Sequence, residues 1–158
     1  MKRGISFQLP NTDKYDSCLG DVLKPIDIST FSWRVTPVES YLVVNDELDI
    51  DKDLFETDNE IMEGADLKNL LENNVYYIIF ADLQAYPKGK VSEIETYEEF
   101  VESECELVLF VVDSYYTVIY CKDKEKLELL YKNAAVFGFE NIQFITDEND
   151  TRTRITAW

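Results

Sequence analysis

The chain contains no histidine, and this absence removes several of the commonest kinds of enzyme chemistry. Without imidazole there are no histidine metal ligands, no Ser-His-Asp or Cys-His nucleophilic pairs, and no general base of the usual neutral pKa. Glycine is also scarce, because only five are scattered over 158 residues. Neither a GxGxxG turn nor a GxxxxGK[ST] phosphate loop is therefore present. The sequence predicts no nucleotide held by a glycine-rich loop and contains no signature of a cofactor.

Cysteine and long apolar runs are scarce as well. The three cysteines, Cys18, Cys105 and Cys121, form no CxxC pair. This argues against a disulfide framework and a four-ligand zinc site, so we interpret the three as small buried residues. The longest apolar runs, at 75–81 and 107–112, are far shorter than the ~20 residues of a membrane-spanning helix, and the start lacks the apolar core of a signal peptide. We expect a cytoplasmic protein with no membrane segment.

Negative charge is what the chain has in excess, with 32 Asp and Glu against 15 Lys and Arg and a formal charge of −17. Apolar residues make up 46% of the chain, enough to form a core, so the acidity does not indicate disorder. Residues 46–66 hold ten acids and one lysine, and residues 91–121 hold eight acids and no Lys or Arg. Such surfaces repel nucleic-acid phosphates and acidic lipids. Two compatible interpretations remain: solubility, or recognition of a basic partner protein.

Hydrophobic periodicity predicts an α+β fold. Alternation predicts half-buried strands, and an apolar run predicts a central strand covered on both faces over 75–83. The other predicted strands are 3–9, 31–35, 41–44, 107–112, 115–120, 142–146 and 151–157. Helical spacing and capping residues predict helices over 15–23, after an Asp66 cap, after a Thr96 capping box and after an Asp123 cap.

Short connections between these strands favour hairpins over crossovers. We expect one hairpin across residues 37–40 and another across Asp113 and Ser114. The prediction is a largely antiparallel sheet of about six to eight strands with three to four helices packed against it. It forms a single domain over residues 1–158, with residues 45–66 as the candidate for a flexible acidic loop. The oligomeric state is left open.

The sharpest local pattern is a set of oxygen-bearing side chains spaced like those of a calcium-binding loop. The set occupies loop positions 1, 3, 5, 9 and 12 and consists of Asp49, Asp51, Asp53, Thr57 and Glu60. Position 6, where glycine makes the sharp turn, is Leu54, and a predicted strand stands where a helix would enter. We therefore expect these acids to bind divalent ions weakly and without selectivity, as a weak calcium-binding module at most.

Carboxylates alone supply a second possible chemistry. Paired Asp and Glu act as acid and base when burial raises the pKa of one of them. No spacing identifies such a pair among 32 acids, so no catalytic residue is assigned. A carboxylate-based enzyme remains an alternative, and it requires a concave pocket with at least two convergent carboxylates.

Four blocks of sequence carry a resemblance to a known family: Leu23–Ser29, Tyr86–Lys90, Thr96–Phe100 and Asp147–Arg154. With these blocks, nearly the whole chain resembles a family of small acidic proteins from Bacillus and related Firmicutes that is known only as a domain of unknown function. The resemblance implies a bacterial cytosolic protein, and it brings no established activity, cofactor or site residue. Size and charge are also similar to those of immunity proteins that neutralise basic nuclease toxins. The favoured hypothesis is a non-enzymatic interaction module that recognises a basic partner protein.

Overall fold

The structure, a computed structural model, describes residues 1–9, 18–36, 39–55 and 61–156. Nine strands, four α-helices and one short 3-10 helix occupy these ranges. The strands are β1 (Lys2–Gln8), β2 (Phe31–Val35), β3 (Glu39–Val44), β4 (Glu47–Asp49), β5 (Ile61–Glu63), β6 (Tyr76–Pro87), β7 (Leu107–Val112), β8 (Tyr116–Cys121) and β9 (Glu140–Thr146). The helices are α1 (Cys18–Val22), α2 (Gly64–Glu72), α3 (Tyr97–Glu102) and α4 (Lys124–Val136), and the 3-10 helix is Ile28–Thr30.

The strands form one sheet in the order β4-β3-β6-β7-β8-β1-β9, with β2 also on β6 and β5 on β2. Each strand pair is antiparallel. The predicted α+β class and antiparallel sheet are therefore confirmed. The strand number exceeds the expected six to eight because β4 and β5 have three residues each, too few to show a period-two pattern. Both lie within residues 45–66, where the sequence suggested a flexible loop.

Each face of the sheet carries its own hydrophobic core. Leucines of α1, α2 and α4, among them Leu19, Leu67 and Leu130, pack on one face in the larger core. Phe110 and Tyr120 point to the opposite face, where the smaller core forms beneath α3 and its flanking loops. Because strand side chains alternate between faces, β7 and β8 contribute to both cores. The predicted central strand is confirmed, since β6 lies between β7 and the edge formed by β2 and β3.

The hairpin expected across residues 37–40 is wrong. Strands β2 and β3 do not pair with each other; instead, they lie end to end along the same antiparallel partner, β6. Phe31 is opposite Pro87 and Val35 is opposite Leu83, after which Glu39 is opposite Phe80. The long β6 has room for both strands, so the chain continues along it where the sequence suggested a reversal.

The predicted hairpin between β7 and β8 is confirmed, but its connection has three residues, Asp113, Ser114 and Tyr115, where the sequence suggested two, because Val112 lies opposite Tyr116. Asp113 and Ser114 have φ of 53° and 72°, the left-handed values that a tight hairpin needs. Small polar residues adopt this region more readily than bulky ones, which explains how the turn forms without glycine.

Two further boundaries differ from the sequence-based expectation. The segment predicted as a strand at 151–157 makes only an isolated bridge, Arg154 with Thr96, within its described part. It crosses the segment before α3, to which it is held by the bond from Ile155 N to Glu95 O (3.0 Å). Helix α2 begins at Gly64, so Asp66 lies in its first turn and is not its cap.

Candidate functional site

The acidic stretch 91–106 forms a surface over the second face of the sheet. Ile94, Phe100 and Cys105 are its anchors, since each is buried in the smaller core. The residues around these anchors include six exposed glutamates. We call this surface the glutamate face: Glu93, Glu95, Glu98, Glu99, Glu102 and Glu104.

The predicted capping box fixes the start of α3 within the glutamate face. The backbone N–H of Glu99 donates to Thr96 Oγ1 (3.1 Å), and the Thr96 hydroxyl lies 3.1 Å from Glu99 Oε1. That carboxylate also accepts a bond from the backbone N–H of Glu95 (3.3 Å). These bonds satisfy N–H groups that a helix start otherwise leaves without partners, so this short helix has a defined orientation.

Cations neutralise only part of the glutamate face. Glu93 lies 3.6 Å from Arg34, and Glu95 lies 3.8 Å from Arg154. Among the described residues, three further glutamates have neither an ion pair nor a side-chain hydrogen bond: Glu98, Glu102 and Glu104. Their charges are therefore held on an anchored element and directed into solvent.

The lysine next to this surface is already engaged. Lys122 Nζ donates to the backbone oxygen of Ser103 (2.6 Å) and lies 4.9 Å from the centroid of the Phe100 ring. Val101 lies on the same side of α3 as Glu98, because residues three apart on a helix are neighbours. It is 54% exposed, so the glutamate face combines negative charge with an apolar spot.

A second acidic region lies at the β4 edge of the sheet, which we define as residues 45–53. Asn45 and Asp46 have φ of 54° and 64° and form the turn between β3 and β4. After β4, the backbone N–H of Asp51 donates to Asp49 Oδ1 (3.0 Å), and Lys52 Nζ lies 4.0 Å from Asp49 Oδ2. The side chain of Asp49 is thus engaged in a local turn.

The calcium pattern is only partly within the described residues. Asp49, Asp51 and Asp53 lie in the β4 edge, whereas Thr57 and Glu60 lie outside the described ranges. The described part of the chain contains no group of three acidic, cysteine or histidine side chains placed to hold a metal. The five-residue site stays a prediction. As expected, a strand and not a helix precedes it, and Leu54 is buried in the larger core.

Within the described residues, the surroundings of Asp27, Asp147 and Glu148 lower the pKa of each carboxyl group. The hydroxyl of Ser29 lowers the pKa of Asp27, and the guanidinium of Arg3 lowers that of Asp147. Hydrogen bonds lower the pKa of Glu148, the first of them from its own backbone. A general acid at neutral pH needs the opposite shift, so these three groups suit permanent negative charge.

The described cysteine side chains are buried and free of disulfides. Burial raises the pKa of Cys105 to about 12 and that of Cys121 to about 11, which keeps both thiols protonated. The interpretation as buried residues is confirmed for these two, while the side chain of Cys18 lies outside the described part.

An unexpected cluster joins the two ends of the chain. A register shift in β1 turns Arg3 to the second face, where Arg3 Nε lies 2.8 Å from Asp147 Oδ1 and Arg3 Nη1 lies 3.4 Å from Asp150 Oδ2. Asp150 Oδ2 also accepts a bond from the hydroxyl of Tyr120 (2.9 Å), and the Arg3 guanidinium lies 4.1 Å from the Tyr97 ring centroid. These contacts are structural, and no local pattern indicated them because they join residues far apart in sequence, with more than 140 positions between Arg3 and its two aspartates.

Comparison with known proteins assigns the chain to a family whose function is not described. A family model described as "Protein of unknown function (DUF2691)" matches residues 2–156, and the chain belongs to this family. It is 52% identical to "Uncharacterized protein YncE" of Bacillus subtilis (strain 168), over 99% of this chain and 100% of that protein. No solved structure matches the chain. Among the described residues, no helix has the length and apolar character needed to span a bilayer.

Proposed function

We propose that this protein is a non-enzymatic cytoplasmic interaction module that recognises a basic partner protein through the glutamate face. The observation that carries this proposal is the set of three unpaired glutamates, Glu98, Glu102 and Glu104, on an element anchored in the smaller core. Charges already fixed in place need little rearrangement to meet a partner, which lowers the entropic cost of association.

The exposed side chain of Val101 supports a protein partner in preference to a simple cation. Protein interfaces combine an apolar centre with a polar rim, and the glutamates around Val101 provide such a rim. Clustered negative charge speeds the encounter with a basic surface and suppresses encounters with acidic ones. The similarity to immunity proteins extends to size and charge alone.

Capture experiments with the full chain test this function. The protein is immobilised and exposed to lysate of the organism that encodes it, at low and at high salt. We expect basic proteins to be retained at low salt and released at high salt, because salt screens contacts between exposed charges. Retention of acidic or neutral partners only, or retention that ignores salt, would show that electrostatic recognition is wrong.

A matched pair of triple variants locates the surface. The test variant carries Glu98→Gln, Glu102→Gln and Glu104→Gln, and the control carries three equivalent neutralisations at the β4 edge. The control replaces Glu47, Asp51 and Asp53 by their amides. Both variants change the net charge equally. We expect only the first to lose capture; equal loss in both would mean that net charge, and not the glutamate face, holds the partner.

A further inference from the structure

A cleft on the opposite side of the sheet has a different electrostatic character from the rest of the molecule. It lies between α2 and the segment Leu23–Ser29, with Gly20 of α1 at one end, and encloses about 430 Å³. This volume falls within the range of ~300–1,000 Å³ typical of small-molecule sites. Its segment Leu23–Ser29 is also one of the four blocks of sequence that carry the family resemblance.

The wall formed by residues 23–29 is held rigidly from both sides. Its apolar side chains Leu23 and Ile28 are buried in the larger core. The backbone oxygen of Ile28 accepts a hydrogen bond from the indole of Trp33 (3.0 Å). Asp27 Oδ1 accepts bonds from the backbone N–H (3.2 Å) and the hydroxyl (2.6 Å) of Ser29. The cleft is therefore formed before any ligand arrives.

Two lysines line this cleft, Lys24 from the loop and Lys68 from α2. Within the described part of the chain, neither ammonium group has a carboxylate within 4.0 Å. Lys24 Nζ also lies 5.6 Å from the centroid of the Phe137 ring. In a chain with 15 basic residues and 32 acidic ones, two lysines without an ion pair lining one cleft are unusual. Positively charged donors converging on a concave space are suited to an oxyanion.

Two carboxylates in the same cleft define the rest of the ligand. Both hydrogen bonds from Ser29 to the Asp27 carboxylate use Oδ1, which leaves Oδ2 for a ligand, and Glu72 lines the cleft from α2. Carboxylates accept hydrogen bonds and never donate them when ionised. A ligand that fills the cleft must therefore present a donor as well as its negative charge, as an ammonium or hydroxyl group does.

We propose that this cleft binds a small organic oxyanion that also carries an amino or hydroxyl group, with Lys24 and Lys68 holding the oxyanion. Glu72 accepts the hydrogen bond from the ligand's donor group. This proposal does not depend on the proposed protein partner, because the cleft and the glutamate face lie on opposite faces of the sheet.

Chemical-shift titration of the full-length, nitrogen-15-labelled protein tests the site. The probes are inorganic phosphate, phosphoserine and glutamate, with sodium chloride as a control for ionic strength. We expect saturable shifts confined to the amides around Gly20, residues 23–29 and Lys68–Glu72 at millimolar or lower concentrations, with phosphoserine tighter than inorganic phosphate. Shifts that fail to saturate, or that sodium chloride reproduces, would overturn the proposal.

Single charge variants separate the cleft from general electrostatics. Lys24→Gln and Lys68→Gln should each weaken phosphoserine binding about tenfold, as expected when a charge-assisted hydrogen bond is lost. Lys88→Gln, in the turn after β6, makes the same change in net charge outside the cleft and should have no such effect. Glu72→Gln should weaken phosphoserine yet strengthen inorganic phosphate. Equal effects of all three lysine variants would refute the site.

Discussion

Replacing Gly64 by alanine tests how closely α2 packs on the 3-10 helix that forms one wall of the cleft. A Cβ on Gly64 would lie 2.1 Å from the backbone oxygen of Ile28 and 2.5 Å from that of Phe31. Ordinary contact begins at 3.4 Å, so the two segments would have to separate by more than 1 Å. The neighbouring atoms are backbone, which cannot rotate away as a side chain does.

Two opposing effects set the magnitude of this change. Alanine favours a helix over glycine by at most about 1 kcal/mol, and less at a terminal position. Overpacking costs about 1–3 kcal/mol. Displacing Ile28 also strains the buried bond from the Trp33 indole, whose loss would cost about 1–3 kcal/mol more. The packing cost is the larger, so we expect Gly64→Ala to lower the free energy of unfolding by about 1–4 kcal/mol.

Gly20→Ala is the matched control, because Gly20 is also helical but its added Cβ would meet only the backbone oxygen of Leu71, at 3.6 Å. We expect this variant to be neutral or more stable by up to about 1 kcal/mol. Urea denaturation of both variants, with the slope checked for a two-state transition, gives the free energies. If Gly64→Ala is as stable as the wild type, or if both variants change alike, the reasoning on this contact is wrong.

Three further predictions concern acid stability, thiols and metal. Because the pKa of Asp147 is lowered in the folded state, its contact with Arg3 stabilises the fold above the unfolded-state pKa, and this stabilisation is lost as the pH falls through the folded-state pKa. The urea midpoint should therefore drop less on acidification in Arg3→Gln than in the wild type. An equal drop in both proteins would contradict this. In a variant that lacks Cys18, the thiols of Cys105 and Cys121 should react with a thiol reagent at pH 8 only after urea is added, because burial keeps both thiols protonated. Immediate reaction without urea would contradict their burial. Calorimetry should show weak and similar binding of calcium and magnesium, whereas a one-to-one micromolar calcium site lost in Glu60→Gln would establish the calcium loop.

Local signals in the sequence predicted those features that depend on a few adjacent residues. The Asp123 cap of α4 is confirmed by bonds from the backbone N–H groups of Glu125 and Lys126 to Asp123 Oδ1 (3.0 and 3.1 Å). The capping box at Thr96 and the β7–β8 hairpin are of the same kind. Each of these features depends on hydrogen bonds between residues at most four positions apart. The residues that determine the local structure are therefore adjacent in the sequence, where their pattern can be recognised.

Features that depend on distant partners could not be predicted in this way. The arrangement of β2 and β3 along β6 depends on the length of β6, and the sequence suggested an end for that strand four residues too early. The cluster around Arg3 pairs the first residues with the last, and no periodicity records such a contact. The cleft likewise depends on how α2 packs against residues 23–29, where Gly64 permits the close approach.

The distribution of the basic residues links the two proposed sites. Several cations are engaged with aromatic rings on their own surface: Lys2 lies 3.9 Å from the Phe144 ring centroid, and Arg152 lies 5.0 Å from that of Phe110. Cations used in this way add stability but leave the acids of the glutamate face uncompensated. Lys24 of the cleft also lies near a ring, 5.6 Å from the Phe137 centroid, but within the described residues neither it nor Lys68 forms an ion pair. Together with Asp27 and Glu72 they give the cleft balanced charge within a molecule of net charge −17.

This arrangement gives the two sites different responses to salt. A basic partner approaches through a favourable long-range field, which salt screens over a Debye length of about 8–10 Å, so its capture should weaken as salt is added. A small oxyanion approaches the cleft against the repulsion of the whole molecule and is attracted only at short range by Lys24 and Lys68. Salt screens the distant repulsion more than the close contact, and a non-coordinating salt should therefore weaken oxyanion binding much less than partner capture. If partner capture and oxyanion binding weaken equally as salt is added, the oxyanion is not held by short-range contacts with the cleft lysines.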